Sequence, residues 1–227
     1  MLALLYDVHG NLPALEAVLA DAGARGADGY LLGGDYALFG AWPVETVDRL
    51  RALDADWIRG NGDRWVGGDL SDAPPPVLPS IEACRATLGP ATAAELAALA
   101  EQLVRDGVRY CHASPLSDMD GFAPDPQDDD ARLLAGAAEA RVVFGHTHVQ
   151  FARRDASSRA ELVNPGSVGM PCDGDHRAAY ALLGADGVEL RRVDYDWRAS
   201  AAAVRERLGA AGEMAARRIE AASFDLG

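Results

Sequence analysis

The sequence predicts an α/β fold in which a mainly parallel sheet is joined to a second, more antiparallel one. Three observations predict it. Short apolar runs alternate with helical patterns from Leu2 to Phe144, in units of roughly 30 residues that imply right-handed crossovers. After Gly145 the helical patterns stop, and short strand candidates follow one another across Gly, Pro or Asp turns. Chemically distinctive residues stand directly after the apolar runs, at the carboxyl edge where open α/β sheets bind ligands.

Leu2 to Tyr6 reads as a buried strand. Asn11 then suits a helix N-cap, with Pro13 in the first turn and Leu12, Leu15, Val18 and Leu19 as an apolar stripe. Gly29 to Leu32 is the second strand, Pro43 to Leu53 the next helix, and Asp56 to Arg59 the third strand. Residues 64–106 form a long excursion with a Pro-rich hinge (Pro74, Pro75, Pro76, Pro79) and an Ala-rich helix near Ala91 to Leu103. Val108 to Cys111 and Val142 to Phe144 continue the strand pattern, with Asp128 to Ala138 as the helix between them. Gln150 to Arg154, Glu161 to Val163, Tyr180 to Leu183 and Val188 to Val193 are the later strands. Residues 197–222 form a C-terminal helix whose weak apolar face (Val204, Leu208, Met214, Ile219) suits core packing or a contact between copies. The whole chain, 1–227, reads as a single domain with 64–106 as a cap-like insertion.

Composition bounds the function. A chain of 227 residues with 49% hydrophobic content can bury a sizeable core. A formal charge of −14 argues against a nucleic-acid groove, although much of the acid lies in the loop Asp118 to Asp130. Cys84, Cys111 and Cys172 are odd in number and unsuited to a disulfide framework or zinc ribbon, so a reduced, cytoplasmic protein is expected. The apolar run Leu2 to Tyr6 is too short for a signal peptide or a membrane span. Lysine is absent, which excludes Schiff-base chemistry and a P-loop lysine.

Asp7 and His9 follow strand one, Asp35 follows strand two, Asn61 follows strand three, His112 ends strand four, and His146 and His148 follow strand five. The chain has only five histidines and three asparagines, so this concentration is not a matter of composition. Carboxylate, amide and imidazole donors without thiolates suit Mn, Fe, Zn, Co or Ni. Each phrase alone reads as a turn, a cap or an exposed loop; together they require several coincidences at successive strand ends.

Asp7-Val8-His9, Gly34-Asp35 with Gly40 after it, Gly60-Asn61-Gly62-Asp63, His112 and Gly145-His146-Thr147-His148, in this order, resemble the motif set of the calcineurin-like metallophosphoesterase superfamily. Asn164-Pro165-Gly166-Ser167 extends the resemblance to its small bacterial and archaeal phosphodiesterase branch. The resemblance implies a four-layer αββα sandwich with mixed central sheets and two divalent transition metals, manganese first, with Fe, Zn, Ni or Co as alternatives. It assigns Asp7, His9, Asp35 and His148 to one metal, and Asp35, Asn61, His112 and His146 to the other, with Asp35 bridging. Asp35, Asn61 and His112 are thereby the expected catalytic set. Metals about 3.5–4 Å apart would hold a bridging hydroxide for in-line attack on phosphorus. The implied partner is a small phosphorylated substrate, a nucleotide first.

The resemblance breaks at Gly62, where relatives carry a histidine that helps protonate the leaving oxygen. That departure favours substrates with good leaving groups, such as dinucleoside polyphosphates or activated diesters. Asn11, at the helix start, and Arg64, after the third motif, are the candidate substrate contacts. The alternatives are a phosphomonoesterase or protein phosphatase, and a non-catalytic scaffold like the retromer subunit of this fold.

Overall fold

A computed structural model describes residues 1–225 of the chain. In chain order its first half comprises β1 (Leu2–Leu5), α1 (Leu12–Ala24), β2 (Gly29–Leu32), α2 (Pro43–Arg51), β3 (Ala55–Trp57), α3 (Asn61–Gly67), α4 (Leu78–Ala97), β4 (Gln102–Arg105) and β5 (Val108–Cys111). The second half comprises α5 (Asp130–Leu133), β6 (Arg141–Val143), β7 (Phe151–Arg154), β8 (Glu161–Asn164), β9 (Ala178–Gly184), β10 (Gly187–Val193), α6 (Trp197–Leu208) and α7 (Glu213–Ala221). No described helix is long and apolar enough to cross a membrane.

The strands form two five-stranded mixed sheets, β10-β9-β1-β2-β3 and β4-β5-β6-β8-β7. These are the mixed central sheets that the resemblance implies, and the expected division into a mainly parallel sheet and a second, more antiparallel one is corrected. β1, β2 and β3 are parallel in the first sheet, and β5, β6 and β8 in the second. The antiparallel strands extend both: β9 and β10 continue the first sheet, while β7 and β4 edge the second. Both sheets thus have three parallel strands whose carboxyl ends can serve one site.

Period-two alternation sorts side chains into layers. Ala3 and Leu5 of β1 face a core under the helices, with Leu15, Val18, Val47, Ile81 and Val204. Leu4 and Tyr6 face the opposite way, meeting Val108, Tyr110, Val143 and Val163 of the second sheet. The Tyr6 hydroxyl crosses between the sheets and donates to the Val143 carbonyl at 3.3 Å. Phe122, Leu133 and Leu134 cover the outer face of the second sheet against Phe144 and Leu162. That outermost layer is thin, because the expected helix over 128–138 is only the single turn of α5 before the left-handed Gly136.

Three further expectations change. The helix placed near Ala91 to Leu103 begins at Leu78 and kinks at Gly89–Pro90, where proline cannot donate a helical hydrogen bond. Its expected end is instead β4, an exposed edge strand paired to β5. Residues 64–106 therefore supply both core (Val66, Ile81, Cys84, Leu96) and a sheet edge. The C-terminal helix is two helices, broken at the left-handed Gly209, with Val204, Ala215, Ala216 and Ile219 buried in the first core.

Candidate metal centre

All seven expected ligands meet where the six parallel strands end. His9, His112 and His148 are oriented alike: their Nδ1 atoms lie against the carbonyls of Leu38 (3.0 Å), Gly33 (2.8 Å) and Met170 (2.6 Å). An N–H at Nδ1 donates to each carbonyl and leaves the Nε2 lone pair facing inward. His146 instead presents Nδ1, 3.0 Å from Asn61 Oδ1. The same oxygen is 3.0 Å from His112 Nε2.

The inward atoms form two linked groups. Asp7, His9 and His148 make one, and Asp7, Asp35 and His112 the other. Asp35 faces both, with Oδ2 3.8 Å from His9 Nε2 and Oδ1 3.6 Å from His112 Nε2. Asp7 Oδ1 is buried and accepts no hydrogen bond, yet His148, His112 and His9 Nε2 surround it at 3.4, 3.8 and 3.9 Å. The His9 and His148 Nε2 atoms face each other at 3.0 Å, a repulsive approach of two lone pairs unless a proton or cation lies between. Two donors bound to one ion at about 2.1 Å stand about 3.0–3.4 Å apart at square or tetrahedral angles. The orphaned oxygen and the shorter of these separations fit divalent cations.

Charge is balanced locally. Burial first, then the neighbouring His148, holds His9 down to about 3. Burial and His112 do the same to His146, also to about 3. Burial works against the charge on His148, but Asp7 outweighs it and pushes that imidazole up to about 10. Burial likewise opposes the Asp7 carboxylate, and His148 pulls it well below the usual range. Asp35 is raised by burial, against the attraction of His112.

The ligand loops are bent into unusual backbone conformations. Asp7, His9, Asp35, His146 and His148 all have positive φ, between 48° and 65°. For a residue with a Cβ this costs about 1–2 kcal/mol each, so the surroundings must over-determine it. They do. Asp63, in the third motif, accepts from the backbone N–H groups of Asp35 (2.8 Å), Gly60 (2.9 Å) and Tyr36 (3.2 Å). Ser167 Oγ donates to the Asp7 carbonyl at 2.7 Å, and Asn164 Nδ2 donates to Gly145 O and Thr147 Oγ1. The Asn164-Pro165-Gly166-Ser167 turn thus braces the first and last ligand loops together. Gly34, with φ of 97°, leaves no room for a side chain, since a Cβ there would lie 2.7 Å from His112 Nδ1.

Asp63 belongs to the third motif, and its bracing role follows from the Gly-x-x-Asp spacing across a helix start. Replacing Asp63 with Ala strands three buried N–H groups at about 1–3 kcal/mol each. The melting temperature is expected to fall by roughly 10 °C, measured by thermal denaturation; a change within about 2 °C would contradict this role.

The two expected substrate contacts, Asn11 and Arg64, both have partners within the protein. Asn11 caps α1, accepting from Ala14 N (3.4 Å) and Ser200 Oγ (3.1 Å) while donating to Gly169 O (2.7 Å) and towards Tyr195 Oη (3.3 Å). Its polar atoms are thus already engaged within the protein. Arg64 is clamped by Asp118 at 2.7 and 2.9 Å and by Asp72 at 2.9 Å, so no free fork faces a phosphate. It lines a cavity of about 620 Å³ beside His112, between α3 and the Ser114–Asp118 loop. Trp65 borders a smaller cavity of about 150 Å³ over His9, Asp35, Asn61, His146 and His148. His176 lies apart, stacked on Trp197 at 4.1 Å.

Arg218 of α7 and Phe224, both outside every motif, also line the smaller cavity. The Phe224 ring is 4.8 Å from His148 and 4.9 Å from the Arg218 guanidinium. No sequence pattern marks them, because Arg218 sits on the C-terminal helix and Phe224 just beyond its end, far from the ligand phrases.

Residues 1–187 match the calcineurin-like phosphoesterase superfamily domain. The chain resembles a metallophosphoesterase from Sphaerobacter thermophilus, with 29% identity and a TM-score of 0.82 over 97% of this chain and 98% of that one. It shares its fold with the hypothetical protein PH1004 from Pyrococcus horikoshii, with 20% identity and a TM-score of 0.79 over 94% and 97%. The uncharacterized protein MJ0912 of Methanocaldococcus jannaschii is 28% identical over 220 residues, 86% of this chain and 88% of that one. With this match and a buried Asp/His cluster at the strand ends, the chain belongs to the calcineurin-like phosphoesterase superfamily.

Proposed function

We propose that the protein is a dinuclear metal-dependent phosphoesterase, acting on phosphodiesters or nucleotide pyrophosphates such as dinucleoside polyphosphates. The observation that carries the reading is Asp7 Oδ1, a buried oxygen without a hydrogen bond and ringed by three imidazole Nε2 atoms. Asp7, His9, Asp35 and His148 would hold one cation; Asp35, Asn61, His112 and His146 the other. Manganese is the first candidate, and the oxygen and nitrogen donors admit Fe, Zn, Ni or Co.

A bound divalent pair supplies an acidified water and neutralises charge on the phosphoryl oxygens. The residues do the rest. Asp35 presents one carboxylate oxygen to each group and so fixes their spacing. Asn61 contributes an oxygen without a further negative charge, which limits repulsion of an anionic substrate. The carbonyls of Leu38, Gly33 and Met170 lock three imidazoles in one tautomer, so the donors are oriented before substrate arrives. A scaffold role would tolerate erosion of these donors, and all seven are present.

Hydrolysis of bis-p-nitrophenyl phosphate should vanish on chelation and return when Mn²⁺ is restored. Turnover that survives complete chelation would refute the metal-dependent reading.

A further inference from the structure

The geometry points to Arg218 as the residue that grips the substrate's phosphoryl oxygens. This rests on the phosphoesterase reading and adds to it a contact from α7, beyond the matched residues 1–187.

Arg218 borders the cavity of about 150 Å³ that opens on His9, Asp35, Asn61, His146 and His148. Its guanidinium lies 4.9 Å from the Phe224 ring, which in turn lies 4.8 Å from the His148 ring. Its Nε is buried and makes no hydrogen bond. Among the described residues, no carboxylate pairs with it.

A half-buried guanidinium without an anion is costly to maintain, since burial removes the water that would solvate it. Its planar fork of N–H donors matches two oxygens of a phosphoryl group, and a phosphate ester entering the cavity would supply the missing anion. Arg64 contrasts with it. That residue is adjacent to the third motif, but Asp72 and Asp118 already occupy its donors. Gly62 offers no side chain at all. Among the described residues lining this opening, Arg218 is therefore the guanidinium with donors to give.

The test measures inhibition of bis-p-nitrophenyl phosphate turnover by inorganic phosphate on the Mn-loaded protein, together with the rise in melting temperature that phosphate produces. Charge-assisted hydrogen bonds of this kind predict that R218A raises the phosphate inhibition constant and KM by roughly 10–100-fold and abolishes the phosphate-induced thermal shift. R218Q, which keeps most of the stem without the charge, should behave like R218A and serves if R218A folds poorly. F224A should change the phosphate constant by less than about 3-fold, because the cation remains. Wild-type protein that hydrolyses the diester, with R218A and R218Q retaining its phosphate constant and thermal shift, overturns the assignment alone. An effect of F224A as large as that of R218A overturns it too, since the ordering of the C-terminal segment would then be the cause. Wild-type protein with neither turnover nor a phosphate response would overturn the phosphoesterase reading itself.

Discussion

Replacing Asp35 with Asn is expected to lower turnover by at least about 10³-fold while leaving the protein folded. Each carboxylate oxygen of Asp35 faces a different donor group, so in the proposed dinuclear centre one side chain would serve both cations. An amide in its place offers one oxygen and turns an N–H₂ donor towards the other site, repelling the ion. The loss corresponds to the several kcal/mol of transition-state charge stabilisation that a bound metal provides, at 1.36 kcal/mol per tenfold. Folding should survive. The Asp35 side chain accepts one backbone hydrogen bond, from Gly62 N at 2.7 Å, which an amide oxygen can also accept. Burial already works against the Asp35 charge, so its removal relieves a cost in the metal-free protein. Steady-state kinetics with a parallel melting curve decide the matter; activity within tenfold of wild type would exclude a bridging role.

The second large effect concerns the leaving group. With glycine at position 62 there is no side chain there to protonate a departing oxygen, and general acids typically contribute about 10²–10⁴-fold. The penalty falls on basic leaving groups, so kcat/KM for bis-p-nitrophenyl phosphate or diadenosine tetraphosphate should exceed that for a phosphoserine peptide by at least about 10²-fold. Preference for the peptide would refute this. Restoring a histidine is not expected to help, because a Cβ at Gly62 would lie 2.8 Å from Asp35 Oδ1 and 3.0 Å from its Cγ. G62H should displace the bridging carboxylate and lose activity on every substrate.

The convergence of the seven candidate ligands was legible because each follows a strand, and strand ends converge whichever sheet they belong to. β2 and β5 lie where their apolar runs predict, and Asn11 caps α1 as its position suggests. The partition of strands between sheets was not legible. Chain order does not record that β9 pairs with β1 while β8 pairs with β6. β4 is not legible in the sequence, because an edge strand with exposed Gln102, Val104 and Arg105 carries little buried pattern beside an Ala-rich helix. The substrate side was the least legible. Nothing in the sequence pairs Arg64 with Asp72 and Asp118, and Arg218 comes from a C-terminal helix that carries no motif.

The most direct test is to count ions. Titration of metal-free protein with Mn²⁺, followed by equilibrium dialysis and elemental analysis, should saturate at about two ions per chain, and D35N should bind less than one at the same free concentration. Failure to bind Mn²⁺, or any other first-row divalent ion, in stoichiometric amount would contradict the account.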